Sequence, residues 1–101
     1  MHVAVRRYRR VEGDRDLLTE KIRSGFVPLI SEIDGFVDYY CFYADDGSLI
    51  SVSVYRDRRG AEESVRAASQ FVAEHIAQHL PEKPEVLSGD VFAHGSTPRQ
   101  Q

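Results

Sequence analysis

Two histidines four residues apart, His75 and His79, fall on one face of any helix that carries them. That spacing suits a metal pair or an acid–base pair. No HExxH or similar pattern accompanies them, and a histidine near a helix C-terminus, as His79 is, also interacts well with the helix dipole. Arg6 and Arg7 alternate in a strand-like run, so one of them faces inward. An inward guanidinium is costly unless it meets a partner or a ligand. There Arg6 would orient or polarise an anionic oxygen. Ser51 and Ser53 alternate with Ile50, Val52 and Val54 and share a face with Tyr55. Small polar residues on that face either leave room for a ligand or fit a tight contact with a helix. Tyr55, Tyr39, Tyr40 and Tyr43 offer rings and hydroxyls to an aromatic ligand, or serve as ordinary strand core and interface material. The candidate catalytic set is thus Arg6, Tyr55, His75 and His79, with Tyr40, Ser51 and Ser53 as ligand contacts. Cys41 has no evident base beside it and reads as a small buried hydrophobe. No nucleophile elbow or glycine-rich phosphate loop occurs, and no cofactor or metal site is expected.

Other charged residues read mostly as surface. Arg9, Arg10, Arg56, Arg58 and Arg59 are expected to share one edge, as an anion site or as a solvated rim balanced by nearby acids. His2 and His94 are expected at adjoining strand ends, both exposed, at the opposite end of the sheet from His75 and His79.

These residues need elements to position them. Residues 2–9 alternate and are rich in β-branched and aromatic types, which predicts a strand. Asp14 or Asp16 is available to cap a helix. Leu18, Ile22, Phe26, Leu29, Ile30 and Ile33 form its apolar stripe, with a break expected at Pro28. Residues 35–44 predict strand two, Asp46-Gly47 a hairpin, and residues 48–57 strand three. A second helix is predicted over 59–80 and strand four over 85–94. The pattern implies a ferredoxin-like α+β fold, β-α-β-β-α-β, with an antiparallel sheet. Its central strands, one and three, are expected to lie side by side and parallel.

Strand two is apolar on both sides, with Phe36, Tyr40 and Phe42 on one and Val37, Tyr39, Cys41 and Tyr43 on the other. Two helices cover only one sheet face. A second copy of the chain is the simplest cover for the other, so a homodimer is expected.

The 101 residues suffice for one domain, expected over 1–95, with a polar tail over 96–101. A 42% hydrophobic and 29% charged composition is that of a globular chain, and a net charge of −3 argues against a nucleic-acid binder. One cysteine cannot form an internal disulfide. No apolar run approaches a membrane span, and the first ten residues lack the core of a signal peptide. The expected address is cytoplasmic.

The segments FVPLISEIDGFVDYY and DDGSLISVSVYRDRRGAEES, followed by a long helix and a short strand, resemble the dimeric α/β-barrel superfamily. The likeness is to its antibiotic-biosynthesis-monooxygenase-like branch and covers about residues 2 to 94. Its markers are Pro28, Gly35-Phe36, the strand-three run ending in an aromatic, and Gly60-Ala61. The resemblance implies a ligand pocket between sheet and helices. It also implies cofactor-independent oxidation of an aromatic small molecule, or non-enzymatic binding or sensing. Relatives that degrade haem or oxidise polycyclic aromatics use a tryptophan ending strand three and an asparagine on strand one. Tyr55 and Arg6 occupy those positions, and the chain contains neither tryptophan nor asparagine. RNA-recognition domains share the topology, but SLISVSVY lacks their glycine–aromatic pattern.

Overall fold

The computed structural model describes residues 1–97, so most of the tail read as 96–101 lies outside the described residues. Strand β1 spans His2–Tyr8, helix α1 Arg15–Lys21 and helix α2 Val27–Ser31, with a π-helical turn, Ile22–Phe26, joining the two helices. Strands β2, Phe36–Tyr43, and β3, Leu49–Tyr55, form the hairpin. Helix α3, Arg58–Phe71, runs into a second π-helical turn, Val72–Ile76, and strand β4 is Glu85–Asp90.

Local chemistry explains these bounds. The Asp14 carboxylate accepts the backbone N–H groups of Asp16 and Leu17 and starts α1. Pro28 has no N–H to give, and the helix widens by one π turn just before it, so that α2 begins with the proline in its first turn. Asp57 caps α3 through the N–H of Gly60. The regular helix is shorter than its apolar stripe, because the π turn takes over at Val72.

The sheet order is β2-β3-β1-β4 and every pairing is antiparallel. This is a ferredoxin-like α+β fold. The expectation that strands one and three run parallel is corrected here. The α1–α2 crossover makes β1 parallel to β2, and the hairpin then reverses β3. His2 therefore lies opposite Tyr55, and Tyr8 opposite Leu49. The shared arginine edge falls with it. Arg9 pairs with Glu85 and Arg10 with Glu12 at one end of β1, while Arg56, Arg58 and Arg59 lie at the other. Strand β4 ends at Asp90 rather than at residue 94, so His2 meets Asp90 and not His94. His2 is buried and its ring contacts the Asp90 carboxylate at 2.8 Å, whereas His94 is exposed.

The helices cover one sheet face. Tyr8, Leu18, Ile22, Phe26, Ile30 and Leu49 lead the main core, and Ala4, Tyr55 and Ala61 form a smaller one. Each fully buried aliphatic, such as Leu18 or Ile30, stabilises by about 1.5–3 kcal/mol. Leu29, read as part of the stripe, stays exposed. A bulge between Phe36 and Asp38 shifts the register of β2. Phe36 thereby joins Tyr39, Cys41 and Tyr43 on the helix side, contrary to strict alternation. The outer face keeps Tyr40 and Phe42, 59% and 50% exposed, and Leu87 on β4, 62% exposed. Half-buried Val3, Val5, Ile50, Val52 and Val54 lie among them.

Candidate functional site

The alternation of β1 turns His2, Ala4, Arg6 and Tyr8 toward the helices. Arg6 sits at the middle of the sheet, opposite Ser51 on β3, and only 2% of it is exposed. Its Nη2 donates to Ser51 Oγ at 2.5 Å. The Tyr39 hydroxyl meets the same Ser51 oxygen at 2.7 Å. The guanidinium carbon stands 5.5 Å from the centre of the Phe26 ring, a cation–π contact. Nε and Nη1 of Arg6 are buried without a hydrogen-bond partner. Among the described residues no carboxylate pairs with Arg6. A buried unpaired charge costs several kcal/mol.

A chamber of about 20 Å³, lined by Arg6, Phe26, Tyr39, Ser51 and Phe71 among others, lies beside the guanidinium. It has room for about one water-sized group. It adjoins a cleft of about 430 Å³ between α3 and the 81–86 segment. Chamber and cleft share Arg6, Tyr8, Val72 and Leu80. The cleft is of a size that takes small ligands. Val65, Val72, Ala73, Leu80 and Val86 make much of its wall apolar, and Glu82 and Lys83 stand along it.

The protonation states around Arg6 follow from burial. Burial pushes the Tyr39 hydroxyl far above its usual range, with Cys41 adding to the rise and Ser51 and Arg6 opposing it. Burial also raises Tyr8, against the pull of Arg6. The Cys41 thiol is raised by burial, opposed by Tyr39 and Arg6. All three are neutral at pH 7. The site therefore combines one fixed positive charge with neutral hydroxyls. It can hold and orient an anionic oxygen, and none of Tyr8, Tyr39 or Cys41 is poised as a base.

Of the residues singled out from the sequence, the structure brings Arg6 and Ser51 together. Tyr55 is elsewhere. It is wholly buried, donates to the Ile30 carbonyl at 2.7 Å, and packs edge-on against Phe36. Burial pushes its hydroxyl up to about 12. Ser53 is wholly buried with an unpartnered Oγ and lines neither the chamber nor the cleft. Tyr40 is on the opposite face of the sheet, because its register partner Val52 points outward. The His75 ring packs at a tilt against Phe71, 4.8 Å between ring centres, in a surface groove with Lys21 and Leu29. His79 Nδ1 donates to the Glu12 carbonyl at 2.8 Å, and the Glu12 N–H donates back to the His79 carbonyl. That reciprocal pair ties the end of the long helix to the β1–α1 loop. Among the described residues no cluster of three metal-ligating side chains forms. The reading from sequence left Tyr39 outside the candidate set and missed Tyr8 and Phe26. Tyr39 shares a face with Cys41 and Tyr43, as alternation implies, and its pairing opposite Ser53 turns that face toward the helices.

No protein-family model matches the chain, and no curated protein matches it either. Solved structures do. A protein of unknown function from Nitrosomonas europaea, NE2512, has a TM-score of 0.75 at 15% identity, over 97% of this chain and 95% of that one. A monooxygenase from the ActVA-Orf6 gene of Streptomyces coelicolor, solved with nanaomycin D, has a TM-score of 0.67 at 19% identity, over 98% and 92%. A point mutant of MhuD, solved with two manganese protoporphyrin IX molecules per active site, has a TM-score of 0.71 at 14% identity, over 96% and 100%. Identities this low establish a shared fold, that of the antibiotic biosynthesis monooxygenases. No helix among the described residues is long and apolar enough to cross a membrane.

Proposed function

We propose that this chain, which has the antibiotic biosynthesis monooxygenase fold, is a cytoplasmic homodimer that binds an aromatic small molecule between its sheet and α3. The observation that carries this reading is the largely apolar cleft that reaches Arg6, beside the small chamber where Arg6 meets Ser51 and Tyr39. A ring fits the cleft walls, and its polar substituent reaches the hydroxyls at the inner end. The outer sheet face supports the dimer. Tyr40, Phe42 and Leu87 stand exposed around a field of valines, a surface that a second sheet would cover.

Catalysis is a second reading, favoured by the charge of Arg6. A ring CH₂ activated by a neighbouring hydroxyl reacts with O₂ to give a ring C=O and water, the substrate supplying all four electrons. No cofactor enters that balance. Arg6 would stabilise the substrate anion from which electrons leave, and Ser51 and Tyr39 would orient it. His75 and His79 lie off this path, so the proton would leave to solvent through the cleft.

The test is ligand-induced thermal stabilisation with a panel of hydroxylated naphthalenes and anthrones, run beside an oxygen electrode. Stabilisation with no oxygen uptake supports a binding module. Stabilisation with one O₂ consumed per ring oxidised supports an oxygenase. No shift with any ring would overturn both readings.

A further inference from the structure

Arg6 is a cation buried in the core, and among the described residues no carboxylate pairs with it. Ser51 satisfies one direction of Nη2, Phe26 offers only its ring face, and Tyr39 reaches the group through Ser51. Tyr8 and Cys41, the other titratable neighbours, are neutral. The acidic residue lining the cleft, Glu82, is exposed and forms no ion pair with Arg6. A protein keeps such a charge where something else supplies the opposite one.

The free volume has the matching shape. The chamber beside the guanidinium takes about one oxygen-sized group, and it adjoins, across Arg6, Tyr8, Val72 and Leu80, a cleft with space for a ring. We infer that the ligand of this cleft is an aromatic anion, with its carboxylate or phenolate oxygen in the small chamber on the free nitrogens of Arg6 and its ring along α3. This rests on the cleft being a small-molecule site, and it adds the charge that the ligand must carry. The amide or methyl ether of the same ring would leave Arg6 unpaired and give up the charge-assisted contact.

The chain contains no tryptophan, so naphthalene fluorescence reports binding cleanly. The probes are 2-naphthoate, 2-naphthamide and 2-naphthol, titrated into the full chain at pH 7. The inference expects naphthoate to bind at least about tenfold more tightly than naphthamide, the size of one charge-assisted hydrogen bond. In its phenolate form it expects bound naphthol to show the red-shifted absorption of the naphtholate at pH 7. Those two arms tell a carboxylate ligand from a phenolate one. Arg6→Met should bring naphthoate down to the level of naphthamide, and Arg6→Lys should keep part of the preference. Circular dichroism identifies any variant that fails to fold, in which case the wild-type ratio alone decides. Naphthamide binding as well as naphthoate, with naphthol bound neutral, would overturn the inference and leave the cleft reading intact. A preference that survives in folded Arg6→Met would also overturn it. Failure of all three rings to bind would take both down together.

Discussion

Gly60 lies so close to Tyr55 that a β-carbon on it would stand 2.6 Å from the ring's Cδ2 and 2.9 Å from the Asp34 carbonyl oxygen. The first turn of α3 therefore rests directly on the last residue of β3. This contact fixes how closely the start of α3 approaches the end of β3. Backbone on one side and a fully buried ring on the other leave no room to yield.

Gly60→Ala should accordingly destabilise the fold by about 1–3 kcal/mol, the usual cost of overpacking a filled core. Urea unfolding followed by circular dichroism measures it. A change below about 0.5 kcal/mol, as for an ordinary surface substitution, would mean that α3 can lift off Tyr55 without cost.

Tyr55→Phe removes the hydroxyl that satisfies the Ile30 carbonyl and leaves the ring in place. The Ile30 carbonyl keeps the Ile33 N–H at 3.3 Å, so the expected loss is that of one net hydrogen bond, about 0.5–1.5 kcal/mol. Ligand affinity at the cleft should not change, because Tyr55 lies in the smaller core with Ala4 and Ala61. A fall in affinity with stability intact would return Tyr55 to the role its place at the end of strand three first suggested.

That role was a natural inference from the chain. Ser51, Ser53 and Tyr55 do share a face, as their alternation implies. Period-two reasoning also placed Arg6 opposite Arg7 and so found the inward charge. It says which face a residue is on, but not which part of that face is open. Tyr55 is closed off by Gly60, a contact between residues whose spacing carries no obvious signal. Phe36 escaped because a bulge leaves no mark in the alternation. The pairing of β1 with β3 went astray at the level of topology. The hairpin reverses the chain once more than a simple crossover does, and this moved every expectation about which strand ends meet. His79 looked like a free titratable group because helical spacing cannot show the Glu12 carbonyl that holds it.

The outer sheet face tests the dimer. Phe42→Glu and Leu87→Lys each put a charge into the apolar field, where an interface would have to bury it unpaired. Each should shift the proposed dimer to monomer by light scattering coupled to size exclusion. The charges face solvent in the monomer, so a surface-sized change of about 0.5 kcal/mol or less is expected in its intrinsic stability. A wild-type chain that elutes as a monomer would overturn the dimer, and variants that still dimerise would place the contact elsewhere.

Acid stability tests the hairpin. Asp46 turns the β2–β3 connection by accepting the Ser48 hydroxyl at 2.6 Å and the Ser48 N–H at 2.9 Å, and it pairs with Arg7. Those contacts, the Ser48 hydroxyl first, lower its carboxyl to about 2. The neighbouring His2 likewise lowers Asp90 at the far end of β1. Both groups have depressed folded-state values. The stability they contribute is therefore complete above the ordinary carboxylate range and is lost as pH falls through the folded value. For Asp46 the window runs from about pH 4 down to about pH 2. Melting temperatures measured at intervals from pH 5 to pH 2 should fall across that window. Asp46→Asn keeps the oxygen that Ser48 needs and removes the proton-binding site, so its melting temperature should start lower at pH 5 and fall less steeply. A variant whose acid slope matches the wild type would show that the hairpin carboxylate contributes nothing to acid unfolding, and would move the effect to Asp90 and the β1–β4 edge.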